Sequence, residues 1–130
     1  MNIKGIHHAA IICSDYEKSK DFYMNVLGCE MIHESYREER DSFKLDLEIG
    51  GKDRIELFSF QNAPERPNYP EARGLRHLAF EVENLQTCIK HLNKHGVQTE
   101  PIRVDEITNK RFTFFKDPDG LPLELYEEGL

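Results

Sequence analysis

The stretch HAAIICSDYEKSKDFYMNVLGCE, which begins at His8, is echoed by HLAFEVENLQTCIKHLNKHGVQT, which begins at His77. A chain that repeats itself at this length builds its fold from two similar small units. In each copy a histidine heads a strand-like run. Seven residues later comes a helix-capping residue, Asp15 or Asn84, whose side-chain oxygen can accept from free backbone N–H groups. Apolar residues then recur at three- and four-residue steps. They are Tyr16, Ser19, Phe22, Tyr23, Val26 and Leu27 in the first copy, and Leu85, Cys88, Ile89 and Leu92 in the second. Gly28 and Gly96 stop the two helices, since glycine reaches the left-handed terminal conformation cheaply.

Three further strands follow in each copy. They are predicted near Glu30–Arg37, Phe43–Ile49 and Arg54–Ser59, and then near Thr99–Val104, Arg111–Lys116 and Leu121–Tyr126. Hairpin turns at Ile49–Asp53 and Lys116–Gly120 precede the closing strands. This predicts an α+β fold of two tandem βαβββ units within one domain, residues 1–60 and 75–130. Residues 61–74, with three prolines and no clear period, form a linker or a loop over a site.

Strand alternation assigns faces. Leu78, Phe80 and Val82, like Ala9, Ile11 and Cys13, belong under the helix, so His77 and His8 point the other way. By the same rule His8, rather than His7, matches His77. Glu56 lies 48 residues after His8, and Glu124 lies 47 after His77. Each is flanked by apolar residues that suit the helix side, which sends the glutamates to the histidine side. Two carboxylates converging with two imidazoles repel each other without a cation. One divalent ion brings two carboxylates and two neutral imidazoles to zero net charge. A four-ligand nitrogen and oxygen set suits Zn²⁺, Ni²⁺, Co²⁺, Fe²⁺ or Mn²⁺, and an octahedral ion would keep two open positions.

Composition narrows the partners. A net charge of −7 disfavours nucleic acid and anionic membrane surfaces. No apolar run approaches membrane-span length, and the N-terminus lacks the layout of a signal peptide, so the expectation is a cytoplasmic protein. The three cysteines are read as reduced thiols, with Cys13 and Cys88 buried.

At His8, Glu56, His77 and Glu124, and in HHAAIICSDYEKSKDFYMNVLG, LRHLAFEV and FTFFKDPDGLPLELYE, the chain resembles the vicinal oxygen chelate superfamily. Within it, the bacterial glyoxalase I-like (lactoylglutathione lyase-like) members resemble it most. The resemblance covers nearly the whole chain. It implies mixed sheets curled around a central metal, helices on the outer face, a homodimer, and Zn²⁺ or Ni²⁺ held by His8, Glu56, His77 and Glu124. Extradiol dioxygenases and fosfomycin-resistance enzymes generally lack a ligand at the position of Glu56, and methylmalonyl-CoA epimerases tend to have Gln there.

The glyoxalase I likeness implies isomerisation of a small carbonyl compound, a 2-oxoaldehyde or its thiol adduct, through a metal-bound enediolate. Glu124 is the first candidate for the base and Glu56 the second. Glutathione-using members typically carry an Arg four residues after the first histidine and an Asn four after the first glutamate. Here those positions are Ile12 and Phe60, which argues against glutathione. Any substrate anion must be held locally, with Arg37, Arg40, Arg66, Lys110 and Arg111 as candidates. Phe58, Phe60, Arg37, Arg111 and Tyr126 are the candidate substrate contacts. Two other readings stay open: a ring-cleaving dioxygenase, and a non-catalytic module that binds a small ligand or metal complex.

Overall fold

The computed structural model describes residues 1–129. The chain divides into two compact units, Met1–Pro64 and Glu65–Leu130. The first runs β1 (Ala9–Cys13), α1 (Tyr16–Asp21), a π-helical turn (Phe22–Val26), β2 (Glu30–Arg37), a short 3₁₀ turn (Glu38–Arg40), β3 (Ser42–Ile49) and β4 (Asp53–Ser59). The second runs β5 (Leu78–Val82), α2 (Leu85–Lys94), β6 (Arg103–Val104), β7 (Arg111–Lys116) and β8 (Pro122–Glu127). Each unit is an open four-stranded mixed sheet, ordered β1-β4-β3-β2 in one and β5-β8-β7-β6 in the other. The first and last strands of each unit pair in parallel, and the other pairs are antiparallel.

Both predicted caps form. Asp15 Oδ1 accepts from the Lys18 amide at 3.2 Å, and Asn84 Oδ1 accepts from the Thr87 amide at 3.0 Å. On the helix-covered faces Ile11, Leu45, Leu47, Ile55 and Leu57 are buried in the first unit, and Leu85, Leu92, Leu123 and Leu125 in the second. Tyr16 of α1 stacks on Phe43 of β3 at 4.3 Å between ring centroids. Leu78, Phe80 and Val82 alternate with exposed Ala79 and Glu81 but are only half-buried, and so is Cys88.

Three local differences from the expected pattern have physical causes. The first helix widens into a π turn at Phe22, with the Leu27 amide bonding the Phe22 carbonyl at 3.0 Å. Phe22 and Tyr23 are adjacent in sequence yet both buried, and the wider turn accommodates their edge-to-face packing at 5.2 Å. β6 has only two residues, because Pro101 has no N–H to offer a ladder. Ahead of it, the Glu100 amide bonds the Phe114 carbonyl, and Thr113 Oγ1 bonds the Glu100 carbonyl at 2.6 Å. Residues 65–74 are built into the second unit. Arg66 donates to the Leu75 and Arg76 carbonyls at 2.9 Å, and Asn68 donates to the Gly120 carbonyl at 2.8 Å.

Candidate metal centre

His8 and His77 each stand one residue before the first strand of their unit. In each closing strand the glutamate lies opposite an alanine of that first strand, Ala10 against Glu56 and Ala79 against Glu124. The small side chains leave room beside each carboxylate. His8 Nε2 lies 3.4 Å from Glu56 Oε2, and His77 Nε2 lies 3.4 Å from Glu124 Oε1. The sequence repeat is thus preserved down to the atom that faces the carboxylate.

The 3.4 Å separation fits two ligands of a common ion. Bonds of about 2.1 Å at angles of about 90° to 110° put neighbouring donor atoms about 3.0 to 3.4 Å apart. It is long for a direct hydrogen bond, whose usual N···O range ends at about 3.2 Å. The donor set is imidazole nitrogen and carboxylate oxygen, suited to first-row divalent ions. Among the described residues, no group of three or more His, Cys, Asp or Glu side chains is placed to hold a metal ion. The structure therefore shows two His–Glu pairs, one per unit, each a candidate half-site.

The two half-sites differ in their surroundings. In the first, Lys44 Nζ sits 2.8 Å from Asp46 and 3.8 Å from Glu56 Oε1. Asp46 lies opposite Glu56, and Lys44 opposite Phe58. In the second, the corresponding places opposite Glu124 and Tyr126 are held by Phe114 and Phe112. Phe114 packs edge-on against the His77 ring at 5.0 Å. One carboxylate therefore has an ammonium group beside it and the other an aromatic wall. Lys44 and Asp46 were visible in the sequence as the polar half of the alternation FKLDL, but nothing there tied them to Glu56.

The second ring nitrogens also have neighbours. His8 Nδ1 shares a hydrogen bond with His7 Nδ1 at 2.8 Å, so His7 sits behind His8 and not in its place. Arg76 Nη1 lies 3.3 Å from His77 Nδ1. Guanidinium can only donate, so this contact requires an unprotonated Nδ1. A neutral imidazole that binds an ion through Nε2 carries its proton on Nδ1 and would have to release Arg76, whose Nε already bonds Glu71 at 2.5 Å.

The candidate substrate contacts separate into groups. Arg37, Phe58 and Phe60 cluster on the Glu56 face, with the guanidinium carbon 4.9 Å from the Phe58 ring centroid and 5.6 Å from that of Phe60. Tyr126 lies on the Glu124 face beside Phe112, its hydroxyl donating to Asp105 at 2.9 Å. Arg111 does not join them. It forms a two-pronged pair with Glu127 at 2.9 and 3.0 Å on the helix side, where Glu127 also accepts from the Leu85 amide at 2.8 Å.

A βαβββ unit built twice, each carrying a His–Glu pair on its uncovered face, defines a narrow structural class. The family model for the Glyoxalase/Bleomycin resistance protein/Dioxygenase superfamily matches residues 5–125, and the chain belongs to that superfamily. It is 62% identical to the Bacillus subtilis (strain 168) protein YwkD over 98% of this chain and 100% of that one. It superposes on the crystal structure of a glyoxalase family protein from Enterococcus faecalis with a TM-score of 0.90 and 52% identity, covering 98% of this chain and 100% of that one. Relatives with named activities are more distant. Glyoxylase I 4 of Arabidopsis thaliana is 26% identical over 96% of this chain and 71% of its own length. Metallothiol transferase FosB of Staphylococcus saprophyticus is 25% identical over 95% of this chain and 77% of its own length. No helix among the described residues is long and apolar enough to cross a membrane.

Proposed function

We propose that the two half-sites together hold one divalent ion, Zn²⁺ or Ni²⁺ first among the candidates, through His8, Glu56, His77 and Glu124. On this reading the chain is a glyoxalase I-like lyase or isomerase acting on a small carbonyl compound, a 2-oxoaldehyde or its thiol adduct. The observation that carries this is the same 3.4 Å spacing of Nε2 and carboxylate oxygen in both units. The relative named Glyoxylase I 4 supports it. So does the second glutamate, since Glu56 completes the four-ligand set that the glyoxalase I resemblance implies.

When bound, the ion would supply the positive charge that polarises a carbonyl or hydroxyl oxygen. Glu124 takes a proton at its carboxylate from the carbon beside that oxygen and returns it to the neighbouring carbon. Glu56 is the less free of the two to move, because Lys44 stands against its other oxygen. Phe112 and Phe114 put an aromatic wall beside Glu124. Ile12 and Phe60 present apolar groups where glutathione-using relatives carry Arg and Asn, so the substrate lacks the glutathione backbone.

The test is turnover of a 2-oxoaldehyde, with and without a panel of small thiols, by the metal-loaded protein and by Glu124→Gln. The proposal expects Glu124→Gln to keep most of the ion and lose turnover by about a hundredfold or more. Oxygen uptake with Fe²⁺ and a catechol would point to a dioxygenase instead. Tight ligand binding that is insensitive to Glu124→Gln, without turnover on any substrate, would point to a binding module.

A further inference from the structure

We infer that Arg37 is the grip for an oxyanion on the ligand, so that the carbonyl compound this site takes, or its thiol adduct, carries an acid group of its own. The inference deepens the reading above and rests on it for the reacting end of the ligand. Its physical basis lies wholly within the first unit.

Arg37 closes β2 opposite Ser42 of β3, in the alternation that also places Lys44, Asp46 and Glu56 on the uncovered face. Its guanidinium lies over Phe58 and Phe60, whose rings are parallel within 7° and 5.9 Å apart. Nη2 donates to Ser42 Oγ at 3.0 Å, and Ser42 is fully buried, which fixes the direction of the fork. Nε is buried and has no acceptor. Among the described residues, no carboxylate lies within ion-pair distance of Arg37. Asp41, across the same hairpin, instead accepts from the Tyr36 hydroxyl and from Gln61.

An arginine stays charged at any working pH and offers five N–H donors in a plane. Aromatic faces attract that charge but supply no lone pairs to its donors. A half-buried cation left without a counter-charge, in a chain of net charge −7, is unfavourable unless something brings an anion to it. A carboxylate, phosphonate or phosphate matches the fork geometry.

The other cations near the faces are committed elsewhere: Lys44 to Asp46, Arg66 to backbone carbonyls, Lys110 to Glu128 and Arg111 to Glu127. Arg40 sits on an exposed turn. Phe58 is the next residue after Glu56 on that face of β4, about 7 Å along the strand. An acid group held above it would therefore be a few bonds from an oxygen placed at Glu56.

The direct test follows the Arg37 Nε–H signal by nitrogen-15 NMR in the full chain, at low salt with EDTA present. Inorganic phosphate and acetate are titrated in, with chloride at matched ionic strength as control. The expected result is a saturable shift of the Arg37 signal with phosphate, acetate or both, but not with chloride. In Arg37→Met, phosphate affinity followed at the Phe58 and Phe60 ring signals should fall about ten- to a hundredfold. Arg37→Lys should recover part of it. No saturable shift, the same shift with chloride, or unchanged affinity in Arg37→Met would overturn the inference. Because EDTA removes any ion, a failure here is distinct from a failure of the metal reading. Metal content of the wild-type protein decides that reading separately.

Discussion

His8 and His77 show how far a single residue's role can be read before its surroundings are known. Either one alone would pass for a packed ring. The repeat, and then strand parity, selected His8 over His7, and the structure gives both selected rings the same Nε2-to-carboxylate spacing. Parity could not show what stands behind each ring, because the residue preceding a ligand faces it only through backbone geometry. Arg76 is the consequential case, since it donates to the nitrogen that should itself carry a proton when the ion is bound. Arg76→Gln places an acceptor there and should tighten divalent-ion affinity severalfold, up to about tenfold, read by competition with a chelating dye. Weaker binding would show that the arginine supports the site. Arg111 illustrates the opposite limit. Its charge was legible, but the strand register that turns it toward Glu127 was not.

At the scale of elements, the caps, the succession of strands along the chain and the turn before each closing strand were legible because each depends on local chemistry. The π turn at Phe22 and the shortness of β6 were not, because they answer to packing and to the missing N–H of Pro101. The start of α2 depends on a contact from outside the helix. Glu127 accepts from the Leu85 amide and from Arg111, and both hold its carboxyl below the usual range, Arg111 the more strongly. A carboxylate whose value is lowered on folding stabilises fully above its unfolded value, and that contribution is lost as pH falls through the lowered one. Glu127→Gln should therefore lower the melting temperature at neutral pH and lessen the fall in stability below about pH 4. Equal acid sensitivity in both proteins would contradict this. In the core, Leu57 is fully buried between helix and sheet. Leu57→Ala should cost about 2 to 5 kcal/mol by denaturant unfolding, and a loss under about 1 kcal/mol would mean that the first unit repacks freely.

For the molecule as a whole, the proposed centre draws one half-site from each unit. On that proposal each unit supplies only two ligands, so binding energy should appear only when both contribute. A divalent ion at a hundred times its Kd would add about 2.7 kcal/mol to the folded state, a rise of a few degrees in melting temperature. His8→Ala should abolish that rise although the pair in the second unit is untouched. What the repeat conveyed was two equal halves. What it could not convey was their unequal surroundings, Lys44 and Asp46 on one side and Phe112 and Phe114 on the other, because only strand register brings those residues opposite the glutamates. The most direct measurement is the metal content of tag-free protein, wild type beside His8→Ala and His77→Ala. One divalent ion per chain in the wild type, lost in both variants, is the predicted result. Full metal content in either variant would contradict the four-ligand centre.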